Sequence, residues 1–184
     1  SDQVERRRGR LPRAADVRQH AGIISYEPTE LVLTARCGTS LAAIESVLQE
    51  NNQMLGFEPP HFADSATLGG CIASGLSGPR RPYSGSTRDF VLGMRIINGK
   101  GEILHFGGEV MKNVAGYDVA RLMTGALGTL GVILEVSLKI LPRPHAEQSV
   151  SLEFDEAAAI AHMNKLAGQS LPLSAACYDG RQLY

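Results

Sequence analysis

Two glycine-dense stretches near the middle of the chain constrain its fold more than any other feature. They run from Phe57 to Gly78 (FEPPHFADSATLGGCIASGLSG) and from Lys112 to Glu135 (KNVAGYDVARLMTGALGTLGVILE), and both carry many small residues and very little charge. Glycine permits positive φ angles and lets a backbone lie directly against a ligand or another backbone. Free N–H groups at the start of a helix suit a phosphate. The two stretches therefore predict a large bound molecule that is held mainly by main chain.

Length and composition are those of an ordinary globular protein. The chain has 184 residues, of which 43% are hydrophobic and 20% charged, enough for one domain with a core or for two small lobes. A net charge of −1 argues against general nucleic-acid binding. The cysteines lie far apart without a CxxC pair, which indicates reduced thiols. No apolar run reaches the roughly 18 residues of a membrane span, and no signal peptide is visible. We therefore expect a soluble, cytoplasmic protein without a transmembrane segment.

The two ends of the chain differ from its middle. Residues 1–18 form a basic arm that is rich in arginine. Its charge favours a solvated arm, and the alternative is a strip that meets phosphate or an acidic partner. At the other end, Asp179-Gly180 is a turn signal between two strand-like segments, Leu171 to Tyr178 and Arg181 to Tyr184. A hairpin that stops so soon leaves an open edge, so we expect the chain to be a fragment of a longer protein.

Strand and helix patterns alternate between these ends. The predicted strands are Leu31 to Cys37, Phe90 to Ile97, Glu102 to Phe106 and Gly131 to Leu141, with a tight turn at Asn98 to Gly101. The predicted helices begin at Ser40, Asp118 and Asp155, and the first of them has Leu41, Ile44 and Leu48 on one face. The pattern indicates a mixed α/β (α+β) protein with antiparallel pieces and an internal boundary at Pro142 to Pro144.

Within the first glycine stretch, Thr67-Leu68-Gly69-Gly70 is a candidate ligand-binding turn. Pro59-Pro60 fix an extended approach to it, and a helix that begins at Thr67 has first N–H groups without an internal partner. Those donors suit a pyrophosphate or the polar edge of a ring, and Ala73, Gly75 and Gly78 leave room for a planar group. The alternative is that the small residues only permit tight helix–strand packing, and the spacing favours neither hypothesis. No Rossmann GxGxxG in its βαβ context and no Walker A motif is present.

The second glycine stretch offers a similar choice. Asp118 is a natural helix cap, and Tyr117 either stacks on a ring or fills the core, with the core favoured. Gly125, Gly128 and Gly131 form a loop of low bulk before a buried strand, where an adenosine half could lie against main chain.

Little in the sequence indicates other chemistry. The histidines lie far apart with no HExxH motif, so we expect no metal site, and no G-x-S-x-G elbow supports a hydrolase. Cys71 is interpreted as a small packing residue. Arg80-Arg81 and Arg88-Asp89 either position phosphate or pair with each other, and ordinary loop electrostatics is favoured.

The order and spacing of the motifs resemble a known family. TLGGCIASGLSG, SGSTRDFVLGMRIINGKGEIL and GYDVARLMTGALGTLGVILEVSLKILPRP, in that order, are similar to the vanillyl-alcohol-oxidase or PCMH type of FAD-binding domain. Within it, EPPHF, SGPRRP and FGGEVMKNVAGYD are most similar to the FAD-binding E subunits of bacterial glycolate oxidases. The resemblance runs from about Gln19 to the end of the chain.

This resemblance implies a fold, a domain plan and a set of cofactor contacts. The implied fold is a PCMH-type mixed sheet with flanking helices, in which two lobes clasp FAD. The FAD-binding domain would span residues 19–144, followed by the start of a C-terminal α/β region at 145–184. The implied cofactor-binding residues are Pro59, Ala66, Thr67, Leu68, Gly69, Gly70, Ala73, Gly75, Gly78, Tyr83, Gly85, Gly116, Gly125, Gly128, Gly131, Val132 and Ile133.

The resemblance also implies a function. It predicts an FAD-dependent oxidoreductase acting on CH–OH groups, in which a small 2-hydroxy acid such as glycolate gives its hydride to flavin. The implied partners are the flavin subunit and the iron–sulfur subunit of a glycolate oxidase, which could also hold the protein at a membrane.

Three departures from the family pattern leave other functions open. The glycine-rich pyrophosphate loop upstream is missing, Gly75 replaces a common Asn, and Leu127 replaces a common Glu. We assign no catalytic residue. The alternative functions are a flavin-fold assembly or binding module without stable FAD, and an enzyme of the related sugar-nucleotide reductase type.

Overall fold

A five-stranded antiparallel sheet forms the centre of the protein. The computed structural model describes residues 16–63, 65–108 and 117–184. Its strands are β1 (Ile23–Glu27), β2 (Val32–Arg36), β3 (Gln53–Met54), β4 (Val91–Ile97), β5 (Ile103–Gly107), β6 (Val132–Lys139), β7 (Leu141–Pro142), β8 (Leu152–Glu153) and β9 (Gln182–Leu183). The sheet has the order β1-β2-β6-β4-β5, and β3 pairs with β7 beside it. Four of the strands that the sequence predicts are confirmed as β2, β4, β5 and β6.

Alternation along the strands places the core on one face of this sheet. Leu33 and Ala35 of β2 are fully buried in the hydrophobic core. Because successive strand side chains point to opposite faces, Thr34 between them lies on the other face. There its hydroxyl is 2.8 Å from the hydroxyl of Ser137 on the neighbouring strand β6. Ile44 and Ile72 belong to the same core cluster as Leu33, so the helices that carry them cover this face.

Six helices are found in the described parts of the chain, and the first shows how the local sequence sets their bounds. They are α1 (Leu41–Glu50), α2 (Leu68–Ser74), α3 (Arg81–Ser84), α4 (Thr87–Phe90), α5 (Val119–Met123) and α6 (Glu156–Ala167). The hydroxyl of Ser40 accepts a hydrogen bond from the amide of Ala43 at 3.2 Å and so caps α1. Leu41, Ile44 and Leu48 are its buried residues. The predicted cap and buried face are both confirmed.

The other predicted helix caps are also present. Asp118 accepts from the amide of Arg121 at 3.1 Å, and Asp155 accepts from the amide of Ala158 at 2.8 Å. Each carboxylate satisfies an N–H group that the first turn of a helix leaves unpaired. The tight turn after β4 is confirmed as well, since the amide of Gly101 donates to the carbonyl of Asn98 at 3.0 Å.

The C-terminal strand prediction is wrong for most of its length. From Leu171 to Cys177 the backbone forms no strand, and Tyr178 makes a single bridge to Leu183 across the Asp179-Gly180 turn. Pro172 has no N–H group to donate, and the amide of Leu173 bonds to the carbonyl of Leu171 instead of to a neighbouring strand. Strand β9 pairs with β8. No helix within residues 16–63, 65–108 and 117–184 is long and apolar enough to cross a membrane.

Candidate functional site

The amide groups at the start of helix α2 already have partners within the chain. The amide of Leu68 donates to the carbonyl of Thr39, and the amide of Gly69 donates to the carbonyl of Cys37, both at 2.8 Å. The Thr67 hydroxyl accepts from the amide of Gly70 at 3.3 Å. The expectation that these donors are free for a pyrophosphate is therefore wrong. The loop between β2 and α1 supplies both carbonyls. Sequence spacing alone does not show that this loop lies against the start of α2.

Three glycines of the first stretch are in close contact with other parts of the chain. A Cβ atom on Gly69 would lie 2.8 Å from Cβ of Cys37, and one on Gly78 would lie 2.6 Å from Cβ of Glu58. Gly75 has a φ of +65° and would place a Cβ 2.9 Å from Cα of Gly125. Real Cβ atoms do not approach so closely, so these glycines are required by tight packing.

Two other glycines face open space. A Cβ on Gly70 would meet only the Thr67 hydroxyl, at 3.4 Å, and one on Gly128 would meet nothing within 4 Å. Gly128 also has a φ of +73°, which favours glycine at its turn. Among the predicted contact residues, Gly70 and Gly128 are thus positions where a ligand can approach the main chain.

The structure brings the two glycine stretches together at the C-terminal end of α2. The amide of Gly125 donates to the carbonyl of Ile72 at 3.0 Å, and the amide of Leu127 donates to the carbonyl of Ala73 at 2.8 Å. These bonds satisfy carbonyl groups that the last turn of a helix leaves unpaired. The second stretch therefore completes α2, with Gly125 and Leu127 bonded to its last turn.

A mostly apolar cleft opens beside the exposed side of α2. This α2 cleft has a volume of about 320 Å³ and is lined by Leu41, Pro60, Phe62, Ala63, Ser65, Ala66, Thr67, Gly70, Cys71 and Ser74. Three of the predicted contact residues, Ala66, Thr67 and Gly70, line it. An apolar cleft with a few hydroxyl groups is suited to a flat ring system with polar edges.

Phe62 is a cleft residue that sequence reasoning missed. Its side chain is 82% exposed at the rim of the α2 cleft. An exposed aromatic ring can stack on a planar ligand. The sequence feature that could have identified it is an isolated aromatic residue, two positions after Pro60, in a segment that is rich in small residues.

The remaining predicted contact residues lie in several places. Pro59 lines a separate cleft. Leu68 and Ile133 are buried in the core, and Ala73 packs partly against it. Tyr83 is partly exposed, and Gly85 lies close to Asp89. Gly131 lies against the carbonyl of Ile97. In the sheet, Ile97 of β4 is the strand partner of Val132 of β6. Gly116 is outside the described residues, as are residues 109–115. The side chains of Leu68 and Ile133 therefore face the core.

Other sequence expectations are resolved by burial and pairing. Burial raises the pKa of Cys71 to about 12, with a smaller contribution from the charge of Glu45, so this thiol is a neutral packing residue as predicted. Tyr117 is 95% exposed just before the cap of α5, so its assignment to the core is wrong.

Arg88 donates to the carbonyl of Thr124 at 3.3 Å, and Asp89 lies 4.0 Å from Arg121. In the described part of the chain, no group of His, Cys, Asp and Glu side chains could hold a metal ion.

Comparison with known proteins assigns the family. The family described as "FAD binding domain" matches residues 14–107, which is more than half of the chain. The chain belongs to this FAD-binding family. FAD, the cofactor that the sequence predicts, is the cofactor of the family. The matched residues include α1, α2 and the whole first glycine stretch.

Two curated relatives of this chain carry glycolate oxidase names. The chain is 56% identical over 169 residues to glycolate oxidase subunit GlcE of Escherichia coli strain K12, covering 92% of this chain and 48% of the relative. It is 31% identical to glycolate oxidase subunit GlcD of Bacillus subtilis strain 168, covering 76% of this chain and 30% of the relative. The chain thus spans about half or less of the length of these relatives.

A solved structure confirms the predicted fold class. Alkyldihydroxyacetonephosphate synthase matches with a TM-score of 0.68 and 25% identity, over 82% of this chain and 27% of that protein. The mixed α+β architecture with an antiparallel sheet and flanking helices is therefore the fold of FAD-binding proteins of this type.

Proposed function

We propose that this chain is the flavin-binding part of an FAD-dependent redox subunit in a glycolate oxidase complex, which oxidises glycolate to glyoxylate. The observation that carries the proposal is the open space beside the Cα atom of Gly70, at the apolar α2 cleft. The similarity to GlcE supports the complex and its substrate class. The flavin subunit and the iron–sulfur subunit are its proposed partners, and any attachment to a membrane would come through them.

Family membership and the α2 cleft together suggest which residues hold FAD. When bound, FAD would supply the hydride-accepting chemistry for a CH–OH group, and the protein would position the ring and exclude water. Ala66, Thr67 and Gly70 would contact the flavin end, with Phe62 stacking at the rim. Gly125 and Gly128, joined to the other end of α2, would lie along the rest of the cofactor. Pro59, Gly75, Gly78, Tyr83, Gly85, Gly131 and Val132 stay predicted contacts through main chain or at the margins of this surface.

The proposed FAD-binding domain extends over residues 19–144. Strand pairing supports this extent, because β7 at Leu141–Pro142 pairs with β3 beside the central sheet, whereas β8 pairs with β9 beyond Pro144. Residues 145–184 would then begin a C-terminal α/β region that contains α6. Residues 1–15 are outside the described residues, so the basic arm stays a prediction.

The bonded amides of α2 favour one alternative function. Leu68 and Gly69 donate to carbonyls of the chain, and Gly75 and Gly78 are closed by packing, which leaves fewer groups for a cofactor. This arrangement is what an assembly module that kept the flavin fold without stable FAD would show. The number of FAD molecules bound per chain separates the two functions.

A visible absorption spectrum tests the proposal. The full-length subunit is purified, incubated with FAD and passed through gel filtration to remove unbound flavin. We expect flavin absorption bands at close to one FAD per chain, which glycolate bleaches in the assembled complex when oxygen is absent. A colourless protein would overturn the redox function in favour of the assembly module. Bleaching by NADPH and not by glycolate would identify the reductase type.

A further inference from the structure

Arg80, at the start of helix α3, binds two carboxylates with one guanidinium group. Its Nε donates to Oε1 of Glu58 at 2.8 Å, and its backbone amide donates to Oε2 of Glu58 at 2.8 Å. Its Nη2 donates to both oxygens of Glu147 at 2.7 Å. The Arg80 side chain is only 14% exposed, so solvent screens these ion pairs less than pairs on an open surface.

Further contacts fix the loop around Arg80 to the segment before Pro59. The amide of Gly78 donates to the carbonyl of Phe57 at 2.9 Å, and the hydroxyl of Ser84 donates to the carbonyl of Gly56 at 2.6 Å. Glu58 itself has a φ of +48°, a backbone conformation that costs energy for a residue with a side chain. The bonds from Arg80 hold Glu58 in that conformation, and Glu58 is bonded directly to Pro59.

The geometry around Arg80 links two clefts. Glu58, Pro59, Arg80 and Glu147 line the arginine cleft, which has a volume of about 450 Å³ and also includes Arg143 and His145. Pro60, the next residue along the chain, lines the α2 cleft. The Pro59-Pro60 pair therefore separates the arginine cleft from the proposed FAD site. The ring of each proline fixes its φ angle, so fewer backbone rotations between Glu58 and Pro60 can absorb a displacement of Glu58.

Glu147 brings the second half of the chain into this arrangement. It follows Pro142 and Pro144, on the far side of the proposed domain boundary. Hydrogen bonds from Arg80 are the largest cause of a lowered pKa of the Glu147 carboxyl, so the carboxylate is charged at neutral pH. Arg80 therefore joins Glu147 to Glu58, the residue before Pro59.

We propose that Arg80 is a positioning residue that couples the region after Pro144 to the FAD site, by holding Glu58 and Glu147 together and thereby fixing Pro59-Pro60. This inference rests on the proposed FAD site at the α2 cleft. Arg80 does not touch the cofactor in this scheme. It sets the position of the cleft wall, and movement of the C-terminal region changes FAD affinity through Glu147.

FAD titrations of the full-length subunit, followed by flavin fluorescence, test the coupling. We expect Arg80→Ala to raise the Kd for FAD about tenfold, because it removes charge-assisted hydrogen bonds to two carboxylates. Arg80→Lys should raise Kd about threefold, since an ammonium group keeps the charge without the planar fork. Glu147→Gln should also raise it about threefold and leave the bonds to Glu58 intact. Arg181→Ala is the matched control, because Arg181 pairs with Glu153 at 3.6 Å on an exposed surface.

The double variant decides whether Arg80 and Glu147 act as one unit. Arg80→Ala combined with Glu147→Gln should bind FAD as Arg80→Ala alone does, because the second change removes a partner that is already lost. Additive effects, or a wild-type Kd in folded Arg80→Ala, would overturn the coupling, since a purely structural role changes the unfolding temperature and not the Kd. If Arg80→Ala does not fold, an unchanged Kd in Glu147→Gln overturns it instead. A wild-type subunit that binds no FAD would overturn the proposed function and the coupling with it.

Discussion

Gly69 and Gly70 are neighbours in helix α2, and we expect alanine to change protein stability in opposite directions at the two positions. A Cβ on Gly69 would lie 2.8 Å from Cβ of Cys37 and 3.0 Å from its carbonyl oxygen. A Cβ on Gly70 would meet only the Thr67 hydroxyl, at 3.4 Å. Gly69 is buried and Gly70 is exposed. The first substitution therefore adds a methyl group to a closed contact, and the second adds one at an open surface.

The contacts give the size of each effect. Overpacking against main chain costs about 2–3 kcal/mol, and the better helix propensity of alanine returns roughly 1 kcal/mol, so Gly69→Ala should lower the free energy of unfolding by about 1–2 kcal/mol. Gly70→Ala should raise it by about 0.4–1 kcal/mol. The two variants then differ by about 2 kcal/mol. In a domain of about 150–250 residues that difference corresponds to about 4–8 °C in the unfolding temperature, and in the longer full-length subunit to less.

Thermal unfolding followed by circular dichroism measures this difference, with the full-length subunit and without added FAD. A Gly69→Ala variant as stable as the wild type would refute the argument that α2 rests on Cys37. Titration with FAD then separates folding from cofactor binding. Gly70→Leu should fold and lose retained flavin, because the larger side chain covers the open main chain. Wild-type FAD affinity in a folded Gly70→Leu would show that the cofactor lies elsewhere.

Three further predictions concern helix caps, thiol labelling and the pH dependence of stability. Ser40→Ala and Asp155→Ala should each lower the free energy of unfolding by about 1 kcal/mol in denaturant titrations, because each leaves one N–H group of a first turn unpaired. Burial raises the pKa of Cys37 and of Cys71 to about 12, so at pH 8 a thiol reagent should label exposed Cys177 first. Because the unfolded thiols lose their protons first, stability should fall as the pH rises above about 9.

Local patterns in the sequence predicted most of the secondary structure. Ser40 and the spacing of Leu41, Ile44 and Leu48 determine α1, and the bonds that form it join residues only a few positions apart. The turn after β4 is equally local, since Asn98 and Gly101 bond to each other. The strand predicted at Leu171 to Tyr178 is wrong for most of its length because the prediction rested on the apolar residues. It did not account for Pro172, which has no N–H group to donate.

The candidate site could be predicted only in part, because its closing contacts join distant residues. The carbonyls of Cys37 and Thr39 cap a helix that begins at Leu68, and no periodicity relates those positions. Gly75 meets Gly125 across the junction of the two glycine stretches. The sequence indicated that both stretches were special, but it did not indicate which glycines close against the chain and which remain open.

Packing alone explains most of these glycines and leaves Gly70 unexplained. Gly69, Gly75 and Gly78 are in contact with other parts of the chain, and the positive φ of Gly128 favours glycine at its turn. Gly70 has neither a close contact nor a positive φ, and it weakens its own helix by roughly 1 kcal/mol relative to alanine. A residue that breaks a local rule without a structural reason marks a functional site. Because Gly70 lines the α2 cleft, the function that best explains it is close approach of a ligand to its main chain.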